Sequence, residues 1–123
     1  MKTHSIAMLL FPGVTILDFV GPYEIFIRSD RFKVFIVSKS KDIIQAEGGL
    51  KLSADYTFDD CPAADIIFVP GGKGINPLLT DTACHHFLQQ QALHASYITA
   101  VCTGSLLLAA TGLLNGYKAT THW

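Results

Sequence analysis

Short apolar runs recur along the chain with longer polar or amphipathic stretches between them, and the runs are apolar throughout rather than alternating with polar residues. A strand that is apolar on both sides is buried on both faces, so the pattern predicts a parallel sheet covered by helices. Ile6 to Phe11 reads as the first strand, closed by Pro12-Gly13. Thr15 through Arg28 reads as a helix, broken or kinked at Gly21-Pro22 because proline has no amide donor and restricts the residue before it. Phe32 to Val37 is the second strand. Ile43 to Glu47 and Leu50 to Ser53, separated by Gly48-Gly49, read as a small hairpin or edge ribbon.

Asp65 to Val69 is a buried strand that ends at Pro70-Gly71-Gly72. Asn76 to Leu79 forms a short helical turn, and Asp81 to Ala95 a surface helix with Leu88, Ala92 and Ala95 inward. Tyr97 to Val101 is the next strand. It runs directly into Cys102-Thr103-Gly104 and an apolar helix from Ser105 to Leu113, stopped near Asn115-Gly116. Lys118 to Trp123 reads as a further strand. Neither repeats nor an interdomain linker interrupt this order, so residues 1–123 form a single domain with a doubly wound α/β sheet. Sites in such sheets lie beyond the carboxyl ends of the strands.

Composition narrows the function. With 9 Lys and Arg against 10 Asp and Glu, the formal charge is −1, and no basic field is present to hold a phosphate backbone. Nucleic-acid binding by this segment is not expected. The apolar runs are far shorter than the roughly 20 residues that cross a bilayer. The apolar run after Met1-Lys2-Thr3-His4 stops at Pro12 without a small-residue cleavage site, so a cytoplasmic location is the expectation. The three cysteines, Cys61, Cys84 and Cys102, are odd in number and widely spaced, which points to reduced thiols. Cys84-His85-His86 places successive side chains about 100° apart around a helix, which argues against a metal centre.

Three segments are expected at the carboxyl edge: the end of the first strand with its helix, Pro70-Gly71-Gly72, and Val101-Cys102-Thr103-Gly104. Cys102 lies between a buried strand and an apolar helix, the chain path of a nucleophile elbow, where the free amides and dipole of the helix favour thiolate. A packed core cysteine is the alternative. Gly71 and Gly72 allow backbone amides to approach a ligand as an oxyanion site requires; a tight turn alone is the other reading. Lys73 precedes Gly74 rather than Ser or Thr, so this is not a phosphate loop. Asp18 is flanked by apolar residues at the start of a helix, either as a working carboxylate or as a helix-terminal charge. Glu24 is a weaker acid candidate on the same helix.

Leu9-Leu10-Phe11-Pro12-Gly13, Leu17-Asp18-Phe19-Val20-Gly21-Pro22, Val69-Pro70-Gly71-Gly72, Val101-Cys102-Thr103-Gly104-Ser105 and Ala119-Thr120-Thr121-His122-Trp123 together resemble the ThiJ/PfpI superfamily, most closely its isocyanide hydratases. The resemblance implies a flavodoxin-like sheet, a cytoplasmic homodimer, a small-molecule substrate, and hydration of an isocyanide to an N-substituted formamide without metal or organic cofactor. It makes Cys102 the nucleophile and Asp18 the acid/base carboxylate. Thr103 would contribute its backbone amide, and Gly72 is the glycine whose amide faces the cysteine. Thr103 stands where the superfamily's intracellular proteases resemble one another in having histidine, which disfavours a Cys-His protease. His122 reads as structural or dimer-facing. Family domains continue beyond the Ala119–Trp123 segment, so the resemblance covers about the first half of one. The same motifs resemble the sensor domain of AraC-type transcription regulators. A cysteine-based stress protein is a third reading, against which Asp18 in place of glutamate weighs.

Overall fold

The computed structural model describes residues 3–116; the strand expected at Lys118 to Trp123, with His122, lies outside them. The central strand is β1 (His4–Leu9), whose Ile6, Ala7, Met8 and Leu9 are almost fully buried. It pairs in parallel with β2 (Phe32–Ser38) on one side and β6 (Ile66–Val69) on the other. β5 (Tyr56–Thr57) extends the sheet beyond β2, and β7 (Tyr97–Ala100) extends it beyond β6, giving the order β5-β2-β1-β6-β7. All these pairings are parallel, as the continuous apolar runs require.

The chain moves from β1 to β2 through α1 (Ile16–Arg28), and from β6 to β7 in the opposite direction through α2 (Ile75–Leu78) and α3 (Thr82–Ala92). Parallel crossovers are right-handed, so the two connections cover opposite faces of the sheet. This is the flavodoxin-like, doubly wound arrangement, and its strand order reverses between β1 and β6. The last described helix, α4 (Gly104–Ala110), follows β7. The hairpin is smaller than its apolar pattern indicated: β3 (Ile44–Gln45) pairs antiparallel with β4 (Lys51–Leu52). Gly48 and Gly49 adopt the positive φ values, 75° and 89°, that turn the chain between them.

Two expectations needed revision. α1 runs through Pro22 without a break. Phe19, before the proline, is buried, and Phe26, after it, packs edge-on against Phe68 with ring centroids 6.1 Å apart. These anchors hold both halves of the helix on the sheet against proline's penalty, the missing donor to the Asp18 carbonyl and the crowding of its ring there. α3 ends at Ala92, so Ala95 lies beyond it. Its inward face also includes Cys84, Phe87 and Gln91. Gln91 is buried because both ends of its amide are satisfied. Oε1 accepts from the Ala64 N–H at 3.0 Å and Nε2 donates to the Pro62 carbonyl at 3.0 Å, which fixes α3 to the segment entering β6.

Asp81 caps α3, its Oδ1 accepting the Cys84 N–H at 3.1 Å while Oδ2 accepts from Lys39 Nζ at 2.9 Å. The Lys39 hydrogen bond, aided by the Cys84 amide, holds the Asp81 carboxyl below its usual range of about 3.8. The folded state therefore favours the charged form, and this stabilisation is present above the unfolded pKa and lost as pH falls through the folded one. Asp81→Ala is expected to lower stability by about 1 kcal/mol at neutral pH, with the difference from the parent protein vanishing in acid, as read by urea unfolding across pH. Gly104→Ala, a change that favours most helices, is expected here to cost about 1–3 kcal/mol. An added Cβ at that position collides with the carbonyl oxygens of Val69 and Pro70, and the urea midpoint checks the sign.

Candidate active site

The carboxyl ends of β1, β6 and β7 converge because the sheet is parallel and β6 is the shared neighbour of the other two strands. After β7, the Val101 N–H still donates to the Val69 carbonyl at 3.1 Å, and the chain then turns abruptly. Cys102 has φ +50°, the positive φ of a non-glycine residue that is unmatched among the described residues. A side chain in that region costs about 1–3 kcal/mol and persists only where the surroundings fix it. The Gly104 N–H closes the turn onto the Val101 carbonyl at 2.9 Å, and Ser105 Oγ donates to the Cys102 carbonyl at 3.2 Å. The elbow path expected from the sequence is therefore present, with the cysteine half-buried at its apex.

The loop after β6 lies directly against it. A Cβ built on Gly71 would sit 2.8 Å from both Cys102 Cβ and the Thr103 nitrogen, and 2.9 Å from Thr103 Oγ1. Glycine is required there by contact. The neighbouring Gly72 has φ +134° and forms an isolated bridge with Val14, while the Thr15 N–H donates to the Gly71 carbonyl at 2.9 Å. The loop after β1 is thus bound to the loop after β6, which is seated on the elbow.

Asp18 is carried on the first turn of α1, just past that junction. Thr15, not Asp18, occupies the N-cap, and it makes no side-chain hydrogen bond there. Its Oδ2 is buried and has no hydrogen-bond partner among the described residues. An unsatisfied buried carboxylate oxygen is costly and persists where function requires it. Glu24, the weaker acid candidate, is engaged in an exposed pair with Arg28 at 2.8 Å.

The structure brings Cys102, Thr103, Gly71 and Gly72 together and ties the segment carrying Asp18 to them. Sequence reading missed the hydroxyls. The Gly72 N–H donates to Thr103 Oγ1 at 3.0 Å, and Ser105 braces the Cys102 carbonyl. A Thr and a Ser flanking the glycine that follows the cysteine were the available signal. Two recessed grooves lie elsewhere: one of about 600 Å³ beside α3, floored by Phe58 and Phe87, and a smaller one at Ile98, Leu113 and Leu114. Neither is lined by the elbow residues. Among the described residues no group of three or more His, Cys, Asp or Glu side chains is disposed to hold a metal ion, and no helix is long and apolar enough to cross a membrane.

Residues 4–123 match the model of the DJ-1/PfpI family. The chain belongs to that family. It is 47% identical over 119 residues to an isonitrile hydratase of Pseudomonas putida, covering 97% of this chain and 52% of that protein. A THiJ/PfpI family protein from Pseudomonas syringae superposes with a TM-score of 0.94 at 42% identity, across all of this chain and 52% of the other. The HTH-type transcriptional regulator GbdR of Pseudomonas aeruginosa is 33% identical over 126 residues, covering 98% of this chain and 34% of the regulator. The chain therefore spans about half the length of the hydratase and of the Pseudomonas syringae protein, and a smaller share of the regulator.

Within this family member, the other two cysteines are held as thiols. Burial, reinforced by the Asp60 charge, pushes Cys61 up to about 11. Burial, reinforced by Asp81, pushes Cys84 up to about 12. Alkylation with iodoacetamide near neutral pH is expected to label Cys102 first, because raised pKa values leave little thiolate at the other positions. Cys84 is expected to react only on unfolding. Peptide mapping by mass spectrometry reads the order, and early labelling of Cys61 or Cys84 would contradict it.

Proposed function

We propose that the chain carries the nucleophile of an enzyme that hydrates isocyanides to N-substituted formamides. The observation that carries this reading is Cys102 held at φ +50° against Gly71. It is supported by the orphaned Asp18 Oδ2 and by the 47% identity to an isonitrile hydratase. In the reaction, the Cys102 sulfur attacks the terminal isocyanide carbon while a proton is delivered to the same carbon, forming a thioimidate, R–N=CH–S–Cys. Water adds to that carbon, the C–S bond breaks, and the product leaves as R–NH–CHO with the thiol restored. Asp18 carries the thiol proton to the isocyanide carbon in the first step, then orients the water and passes its protons to the nitrogen and the sulfur.

The backbone amide of Thr103 is placed in this scheme as a donor to the reacting group, and the Gly71-Gly72 backbone as the wall opposite the sulfur. The substrate is a small molecule, and no metal or organic cofactor is invoked. The homodimer and the cytoplasmic setting belong to the same proposal. The outward stripe of α1, with Leu17 and Ile25 exposed on either side of Gly21, supplies an apolar face for a second copy. The second reading, a sensor domain of a transcription regulator, is favoured by the 33% identity to GbdR along nearly the whole chain.

The deciding experiment is formamide production from a simple alkyl or aryl isocyanide, measured on this chain and on one extended to the length of the hydratase. Turnover that disappears in Cys102→Ala is expected, with Asp18→Asn lowering kcat/KM by about 10²-fold or more. Absence of turnover in both lengths would overturn the hydratase reading and favour the sensor.

A further inference from the structure

The family resemblance implies that the Gly72 amide faces the cysteine. It already has an acceptor. Gly72 N–H donates to Thr103 Oγ1 at 3.0 Å, in a partly buried position, and the same hydroxyl lies 3.5 Å from the Gly72 carbonyl oxygen. The side chain that follows the nucleophile thus reaches back to both polar groups of one residue in the loop after β6. On the other side of the elbow, Ser105 Oγ donates to the carbonyl of Cys102 itself.

Resting on the catalytic reading above, we propose that the Thr103 hydroxyl is a positioning residue: it latches the Gly71-Gly72 loop to the elbow, occupies the Gly72 amide in the resting protein, and so fixes the strained backbone that aims the Cys102 sulfur. The reasoning is mechanical. A residue at φ +50° stays there only if its neighbours leave it no relaxed alternative. Gly71 supplies the close wall. The Thr103 hydrogen bond is a polar tie between wall and elbow, linking residues 31 apart in sequence. Replacing the hydroxyl with a methyl group leaves the Gly72 N–H without a partner, a cost the loop relieves by lifting away. The sulfur then loses its aim although the fold remains.

The test reads the thiol directly. The rate of Cys102 alkylation by iodoacetamide is measured across pH in the parent protein and in Thr103→Val, Thr103→Ser and Thr99→Val. Thr99 is the control hydroxyl, bonded to the Ile67 carbonyl at 2.7 Å within the sheet. Thr103→Val is expected to slow alkylation by about tenfold or more and to displace the midpoint of its pH profile. Thr103→Ser restores both, and Thr99→Val changes neither. An unchanged rate and midpoint in Thr103→Val, or a failure of serine to restore them, overturns the proposal. Amide hydrogen exchange in the unmodified protein supplies a readout that needs no variant: the Gly72 amide is expected to be protected, and exchange at the rate of an exposed amide overturns the latch. Alkylation and exchange require no isocyanide, so a parent protein that fails to turn over isocyanides sinks the hydratase reading and leaves this test standing.

Discussion

The approach of the Gly71 backbone to Cys102 is the constraint on which the site depends. Any side chain at position 71 would overlap Cys102 and Thr103. Without that contact, the cysteine would have no wall to hold it in a conformation that side chains avoid. The contact exists because β6 and β7 are parallel neighbours that end level with each other, Val69 opposite Ala100. Strand register thus becomes side-chain geometry two residues further on. A slip of the pairing by one residue would turn every side chain of β7 to the other face and carry the elbow away from the glycine.

The same loop has a second set of attachments. Gly71 accepts from Thr15, Gly72 bridges to Val14, and the Gly74 N–H donates to the Gly13 carbonyl. On its far side the β1 loop is held by the hairpin, with the Gly13 N–H donating to the Gln45 carbonyl and the Glu47 N–H to that of Val14. Hairpin, β1 loop, β6 loop and elbow form one continuous run of backbone hydrogen bonds and contact. Asp18 is carried on the helix that starts from this run, so the placement of the carboxylate and that of the thiol share a common frame.

What the sequence made legible was what a strand or a turn writes locally. β1 and β6 are uninterrupted apolar runs closed by proline and glycine, and the elbow is a cysteine between such a run and a glycine that starts a helix. Asp18 was visible because an acid among Ile16, Leu17, Phe19 and Val20 has few inexpensive environments. β5 left no signal, since two residues paired with the end of β2 have no period to read. The continuity of α1 through Pro22 was hidden because aromatic packing on the sheet overrode a local penalty. The role of the Thr103 side chain was hidden for a different reason: its partner lies on another strand's loop, and only the folded register makes them neighbours.

The all-parallel main sheet has a consequence for the making of the protein. Each of its pairings joins segments separated by a helix or by the β3–β4 hairpin, and the clamp at the base of β1, where the Ser5 N–H meets Asp65, spans 60 residues. Such long closures form late in folding. On a ribosome, Cys102 emerges long after Gly71 and cannot acquire its strained conformation until β7 has docked beside β6. Until then it is a thiol in a flexible chain, so its special geometry arises together with the β6–β7 pairing.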